Sequence, residues 1–469
     1  MFRNFRLHSS GSQTPSPFAE GALCFGAVLA SGATLRGQAG VSIGVEALIS
    51  PGLLMAAALF AAVMALLNSF VGLYRARNLG PKTLVLRSII ALAAGGYLSY
   101  LGVTTMQFDG HPGLLVGYAL AYLAAGLAIY RGISWSLRRT VGTRRVVIVG
   151  TGAEALQVWT DLRSPAQSGH YEVVGFYPTA EQGVEPILNG GVRVFERNET
   201  LLSLVGQLHV AEIIVAVKEQ RGGGVPMDQL VQCRISGVPI MGLVGFYERT
   251  HAEIPVDSVR ASWLVYGDGF VQGHVRAFTK RVFDVVSSSI LLVLSAPIMA
   301  ITAIAIRFDS PGPILYRQER VGLGGATFWC TKFRSMRTDA EKDGVARWAT
   351  KNDSRITRVG EFIRKTRIDE LPQLISVLKG EMSMVGPRPE RPTFVAQLRE
   401  QIPFYDVRHT VKPGLTGWAQ VRYAYGASVD DARKKHQFDL YYVKNNSLLL
   451  DLLVLVETVS VVLFREGAH

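Results

Sequence analysis

Charge is scarce in this sequence. Asp, Glu, Lys and Arg make up 18% of its 469 residues, and hydrophobic residues make up 48%. An average soluble chain carries about 25% charged residues. The shortfall argues against a disordered chain and against a purely soluble one. Cysteine is scarcer still. Cys24, Cys233 and Cys330 are three and widely separated. That excludes a disulfide framework and a cysteine zinc cluster, and it points to a reducing compartment. No P-loop sequence is present, and the nine histidines show no metal-ligand spacing.

The charge is missing mainly from one end. Residues 1–135 hold eight Lys/Arg and three Asp/Glu, while the remaining 334 residues hold 75 charged positions. The front reads as membrane and the rest as soluble. Residues 51–74 are charge-free for 24 positions, and 88–108 and 110–130 add stretches of 21 each. About 20 apolar residues cross a ~30 Å hydrocarbon layer as a helix. A fourth segment, at about 17–35, is shorter, because Glu20 and Arg36 bracket only 15 charge-free residues. The polar run HSSGSQTPSP before it does not fit a cleavable signal peptide.

Positive charge sets the orientation. Arg3 and Arg6 precede the first segment. Arg75, Arg77, Lys82 and Arg87 lie between the second and third. Arg131, Arg138, Arg139, Arg144 and Arg145 follow the fourth. Both ends of the bundle therefore face the cytoplasm. No Asp, Glu, Lys or Arg sits at mid-depth in these spans. That speaks against an ion or proton path and for an anchoring or oligomerising bundle.

The middle of the chain alternates strand and helix patterns. RRVVIVG (144–150), YEVVGFYP (171–178) and AEIIVAV (211–217) read as strands. QLVQCRISGVPI (229–240) starts as a helix and ends as a strand. This order predicts a Rossmann-like parallel sheet. Gly150-x-Gly152-x-x-Ala155 matches a dinucleotide fingerprint, with Gly150 and Gly152 as candidate cofactor-binding residues. The acid expected at the end of the second strand is absent. That strand closes in Gly175-Phe-Tyr-Pro178, and the next acid is Glu181. The favoured reading is therefore a tight strand-to-helix turn belonging to the fold.

Residues 282–306 form another apolar run, with Asp284 as its one charge. Arg276, Lys280 and Arg281 precede it, and Arg307, Arg317 and Arg320 follow it. Both flanks favour the cytoplasmic side. Ser295 and Pro297 near its centre can hinge a helix that enters one leaflet and returns. The alternative is an ordinary fifth span, which would carry the rest of the chain outside.

From Gly312 onward the motifs become dense. GPILYRQERVG (312–322) and ATFWCTKFRSM (326–336) read as a hairpin leading to Lys332, Arg334 and Arg337. VGEFIRKTRI (359–368) reads as a basic helix running into Asp369-Glu370-Leu-Pro372. An Asp-Glu pair taken alone is usually a solvated feature. Set among these cations, two carboxylates suit phosphoryl chemistry. One can attack phosphorus covalently and the other can hold Mg²⁺. Arg and Lys bind phosphate oxygens. The net charge of +12 suits anionic lipid and phosphate contacts. Nucleic acid is not expected, since no recognition motif appears.

The stretches KFRSM, DELPQL, KGEMSMVGPRP and KPGLTGWAQV, in the block from Lys280 to about Phe464, resemble the bacterial sugar transferase domain of the polyprenol-phosphate phosphoglycosyl transferases. With the preceding spans and the middle domain, the whole chain resembles the large monotopic form. The resemblance implies transfer of a sugar-1-phosphate from a UDP-sugar, weakly UDP-glucose, to undecaprenyl phosphate, with release of UMP. This would be the first membrane step of exopolysaccharide or O-antigen synthesis. Asp369 would be the nucleophile and Glu370 a Mg²⁺ ligand. Lys332, Arg334 and Arg388 would contact phosphates, Asp439 would stand near the site, and Pro297 would break a re-entrant helix.

The implied architecture is a four-helix transmembrane region (1–135), a Rossmann-like α/β domain (140–265) and a mostly α catalytic domain with the re-entrant helix (275–469). The bacterial cytoplasmic membrane would hold it, with the catalytic domain on the cytoplasmic face, as a homodimer among membrane lipids. GFYP replaces the acid-rich turn of many relatives. The late apolar run 448–464 reads as an interfacial or dimer-packing helix, or else as a core helix. Two other classes fit parts of the pattern: a membrane-tethered Rossmann oxidoreductase or sensor, and a polysaccharide-export scaffold.

Overall fold

The computed structural model describes residues 17–38, 50–70, 81–106, 111–140, 143–164, 171–179, 192–217, 224–270, 272–340, 353, 355–423, 426 and 428–464. Arg3, Arg6, Arg75, Arg77 and Glu181 lie outside the described residues. The chain divides into two compact units, Met1–Phe246 and Tyr247–His469.

The first unit opens with four helices: α1 (Pro17–Gln38), α2 (Pro51–Phe70), α3 (Pro81–Thr105) and α4 (Pro112–Thr140). α1 packs on α2 and α4, and α3 completes the bundle by packing on both of these. The core is built from small and branched side chains, including Ala57, Phe60, Leu115 and Ala119. Glycines allow close approach: a Cβ on Gly32 would strike Leu53, and one on Gly96 would strike Leu120. Small residues serve this purpose at helix contacts in lipid, where van der Waals packing replaces the hydrophobic effect. Among the described residues, α2, α3 and α4 are long and apolar enough to cross a membrane, and so is a later helix, His274–Asp309. α1 forms but falls short of that apolarity. The Ser31 hydroxyl ties it to the bundle by donating to the Leu115 carbonyl at 2.6 Å.

An α/β layer follows, with strands β1 (Arg144–Val149), β2 (Tyr171–Tyr177), β3 (Glu212–Val215) and β4 (Ile240–Gly242). The sheet order is β2-β1-β3-β4 and every pairing is parallel. Helices α5 (Ala153–Arg163), α6 (Leu201–Gln207) and α7 (Met227–Ile235) connect the strands. Val146 to Val149 are fully buried. Burial on both faces explains why this strand is apolar throughout instead of alternating. Gly150 ends β1 at φ +120°, and a Cβ there would lie 2.8 Å from the Ala216 carbonyl oxygen of the neighbouring strand's end. The first fingerprint glycine is therefore required by the turn and by strand approach. Gly152 is the N-cap of α5.

The second unit is built on α8 (His274–Asp309), 36 residues long with Pro297 inside it. Its polarity is inverted relative to a soluble helix. Asp284, Ser288, Ser295 and Thr302 are buried, whereas Val293 is 74% and Phe308 87% exposed. A helix with its polar stripe on protein and its apolar stripe outward suits a lipid surrounding. Around Pro297, Ser295 donates to the Leu292 carbonyl at 3.4 Å and Thr302 to the Ile298 carbonyl at 2.8 Å.

Both ends of α8 bind this one unit. Arg281 donates to the carbonyls of Val377 and Leu378 at 2.7 and 2.6 Å. Asp309 accepts from the Val359 amide at 3.2 Å, and Ile306 packs with Phe333 and Ile363.

The hairpin forms as β5 (Leu315–Val321) and β6 (Thr327–Phe333), paired antiparallel with Tyr316 opposite Lys332. Then come α9 (Arg358–Lys365), a 3₁₀ turn (Ile368–Gln373), α10 (Leu374–Lys379), β7 (Ser383–Val385), α11 (Pro392–Gln401), a second 3₁₀ turn (Tyr405–Thr410), β8 (Gly414–Thr416), α12 (Trp418–Arg422), α13 (Val429–Asn445) and α14 (Leu448–Phe464). β7 and β8 pair parallel. α14 buries Asp451 and Val454 and exposes Leu452 and Val459. It therefore has one face in the core and one apolar face outside.

Candidate active site

Three local features bring the site together. Lys332 lies on β6, with Phe333 turned the other way into the α8 core. Alternation along a strand puts the two on opposite faces. α9 starts at a Thr357 N-cap, whose side chain accepts from the Gly360 amide. The chain leaves α9 through Arg367 at φ +59°, a left-handed conformation uncommon outside glycine. That reversal starts the 3₁₀ turn carrying Asp369 and Glu370, which are 8% and 7% exposed. An adjacent acid pair so deeply buried is not a solvated face.

Glu370 Oε1 gathers three cations: Lys332 Nζ at 2.8 Å, an Arg388 guanidinium nitrogen at 3.0 Å and an Arg367 nitrogen at 3.6 Å. Their charge holds its carboxyl well below the usual range, against the opposing effect of burial. Asp369 is pushed up to about 6, first by burial and then by the neighbouring Glu370 charge. Lys332, Arg367 and Arg364 pull it the other way. Its Oδ1 is buried without a hydrogen-bond partner. Four cations thus surround two acids, an excess of positive charge suited to a diphosphate.

Of the residues expected from sequence, the structure joins Asp369, Glu370, Lys332 and Arg388. Arg334 and Asp439 take other partners. The Arg334 guanidinium donates to the carbonyls of Ser310, at 2.7 Å, and Pro311, tying the end of α8 to the hairpin. Asp439 forms a buried ion pair with Arg408 at 2.9 Å. Arg408 in turn donates to the Arg388 main-chain carbonyl at 2.8 Å and to the Tyr405 hydroxyl at 2.7 Å. Ser295 and Pro297 lie within α8, and Gly150 and Gly152 at the strand-to-helix turn of the first unit. The sequence reading did not single out Arg367 or Arg408. Arg367 had a signal in its position two residues before the acids; Arg408 had none.

Among the described residues, no group of three or more His, Cys, Asp or Glu could enclose a metal. Magnesium at phosphoryl sites needs only one or two carboxylates, with phosphates and water completing the shell. The unpartnered Asp369 Oδ1 and the Glu370 carboxylate meet that minimum. All three cations close on Glu370 at Oε1.

Residues 275–465 match the bacterial sugar transferase family. A UDP-N-acetylgalactosamine-undecaprenyl-phosphate N-acetylgalactosaminephosphotransferase of Aeromonas hydrophila is 43% identical over 240 residues, 51% of this chain and 56% of the relative. An undecaprenyl-phosphate glucose phosphotransferase of Komagataeibacter xylinus is 34% identical over 330 residues, 69% of this chain and 60% of the relative. A UDP-glucose:undecaprenyl-phosphate glucose-1-phosphate transferase of Xanthomonas campestris pv. campestris is 32% identical over 373 residues, 77% of this chain and 75% of the relative. The alignments thus span less than two thirds of the first two relatives' own length, and three quarters of the third's. The motifs, the buried acid pair with its cations and this extent of similarity together place the chain in the bacterial sugar transferase family.

Proposed function

We propose that this protein transfers a sugar-1-phosphate from a UDP-sugar to undecaprenyl phosphate, giving undecaprenyl-diphosphate-sugar and UMP. The observation that carries the reading is the pairing of a buried Asp369, its Oδ1 without a partner, with a Glu370 whose Oε1 gathers three cations. One acid is left free to react, and the surrounding positive charge suits a diphosphate. In the first step an Asp369 carboxylate oxygen attacks the sugar-bearing phosphorus, and the bond to the UMP phosphate breaks. In the second, a phosphate oxygen of the polyprenyl lipid attacks the same phosphorus and frees Asp369. No net proton transfer is needed in either step. Lys332, Arg388 and Arg367 hold the phosphate oxygens and stabilise charge building on the leaving UMP. Arg334 and Asp439 support this shell from behind. Bound Mg²⁺, held by Glu370 with Asp369 beside it, would supply further charge neutralisation.

A two-step path suits the substrates. UDP-sugar is water-soluble and the acceptor is fixed in the bilayer, so one site serves them in turn. α8 is read as re-entrant. A straight helix of this length spans about 54 Å, yet both its ends bind the same unit and its outward face is apolar. On that reading the acid pair stands at headgroup depth, and the flanking Arg and Lys support the cytoplasmic side of the bacterial inner membrane. The first unit is read as a four-helix anchor followed by a Rossmann-like domain whose glycine turn is structural, and the protein as a homodimer.

Relatives are named for glucose, galactose and N-acetylgalactosamine. UDP-glucose is the first donor to test. Purified protein in lipid, given undecaprenyl phosphate and a panel of UDP-sugars, should release UMP with one hexose preferred. No release with any of them overturns the reading.

A further inference from the structure

Arg388 lies in a loop, Val385–Pro389, whose main chain is held at nearly every carbonyl. Pro387 accepts from the Gly414 amide at 2.9 Å. Arg388 accepts from Arg408 at 2.8 Å, and Pro389 from Arg320 at 3.1 Å. The Gly386 amide donates to Thr416 at 2.9 Å.

The start of the loop is the most heavily tied. Three polar groups from three elements converge on the Val385 carbonyl: Lys280 Nζ of α8 donates to it at 3.2 Å, the Tyr442 hydroxyl of α13, shared with Asp451, lies at 2.9 Å, and the Ser383 hydroxyl of β7, whose proton goes to Asp284, lies at 3.0 Å. Behind them is a buried polar cluster. Tyr442 lies 2.7 Å from Asp451 Oδ1, and Lys280 pairs with Asp451 Oδ2 at 2.9 Å. Asp284 of α8 accepts from the Ser383 hydroxyl and the Met384 amide, both at 3.0 Å. Asp284, Tyr442 and Asp451 are each 2% exposed or less.

None of these groups touches the acid pair, and burying them is costly unless each is satisfied. What they share is the register of β7, three residues ahead of the arginine that meets Glu370. Tyr442 and Asp439 sit three positions apart on α13, so one helix face holds both ends of the loop. Tyr442 acts at Val385, and Asp439 acts through Arg408 at Arg388.

We propose that Tyr442 is a positioning residue. Through the Val385 carbonyl, and in concert with Lys280 of the membrane helix, it fixes where the Arg388 guanidinium stands against Glu370. The membrane helix thereby sets the geometry of the phosphate-binding shell. The proposal rests on the function above only for its rate measurement.

Tyr442→Phe removes one hydroxyl and keeps the packing. Losing one buried hydrogen bond that aims a charged group should lower kcat about fivefold to tenfold, with KM for the UDP-sugar within about twofold. In an Arg388→Lys background the same change should cost less than about twofold, because residues acting through one another are not additive. An equal loss in both backgrounds, or a loss confined to KM, contradicts the proposal. A second measurement is independent of turnover. Amide hydrogen exchange across residues 383–391 should quicken in Tyr442→Phe by more than in the rest of the second unit, whose exchange reads the general loss of stability from the acceptors left unpaired. Unchanged exchange there overturns the positioning role even if Arg388→Lys proves inactive or the substrate assignment fails.

Discussion

Asp369 and Glu370 are consecutive and equally buried, and their surroundings drive them in opposite directions. Three cations at one oxygen keep Glu370 ionised. Asp369 is raised to about 6 by burial and by Glu370. Environment alone thus gives two adjacent carboxylates different tasks.

A pH profile should show this division. Asp369 attacks only as the carboxylate, so protonation stops the reaction. Activity should be flat above the raised value, half lost near pH 6, and fall about tenfold per unit below it. Glu370→Gln removes the charge that raises Asp369 and frees three cations that lower it, so the midpoint of any residual activity should move to lower pH. A midpoint that stays put, or moves up, contradicts the electrostatic assignment. The kcat/KM for UMP release between pH 4.5 and 8 is the measurement.

Removing Lys332 takes away a close charge at Glu370. Lys332→Met should lower kcat/KM by about 10²-fold, in the range found for single electrostatic groups at developing charge, while leaving thermal unfolding nearly unchanged. Arg334→Met should behave in the reverse way. Its guanidinium ties backbone at Ser310 and Pro311, so stability should fall more than turnover does in properly folded protein. Paired thermal and kinetic measurements on the two variants decide the matter.

The Asp439–Arg408 pair is buried on both sides. Burial already raises Asp439 to about 6 against the pull of Arg408, so Arg408→Met would leave a buried acid without its cation, at a cost of about 3–5 kcal/mol. Arg408→Met combined with Asp439→Leu should be less damaging than the single change, since no unpaired buried carboxyl remains. Denaturant unfolding of the isolated variants measures both. If the single variant is as stable as the parent, the pair does not hold the site.

Chelation should stop UMP release, and added Mg²⁺ should restore it. Full activity in EDTA would rule out the metal role given to Glu370. Gly152→Val is the counterpart in the first unit. If the glycine turn is structural, UMP release should survive the substitution largely intact. Its loss in a folded variant would favour a nucleotide at that turn.

Much of this architecture was legible in the sequence because its signals are local. Charge-free runs mark the helices, and the apolar stretch 144–149 with a glycine behind it marks a doubly buried strand. Asp369 and Glu370 stood out through surrounding motifs rather than through the pair itself. The hairpin was visible in GPILYRQERVG and ATFWCTKFRSM, so Lys332 could be placed. Contacts distant in sequence were less legible. Arg408 reaches Arg388 across 20 residues and Asp439 across 31, and neither spacing leaves a periodic trace. Arg334 looks like Lys332 in the string KFRSM. Only the fold separates them, by turning Arg334 onto the end of α8. The buried polar stripe of α8 was hidden too, because Asp284, Ser288, Ser295 and Thr302 appear in sequence as scattered interruptions of an apolar run.

The most direct test is isotope exchange without the lipid acceptor. Purified protein in vesicles lacking undecaprenyl phosphate is given its UDP-sugar and labelled UMP, with Mg²⁺ present. If the phosphosugar rests on Asp369 between the two half-reactions, label should pass from UMP into UDP-sugar, and Asp369→Asn should abolish the passage. Absence of exchange in an enzyme that turns over once the lipid is supplied, or exchange undiminished in the Asn variant, contradicts a covalent intermediate on Asp369.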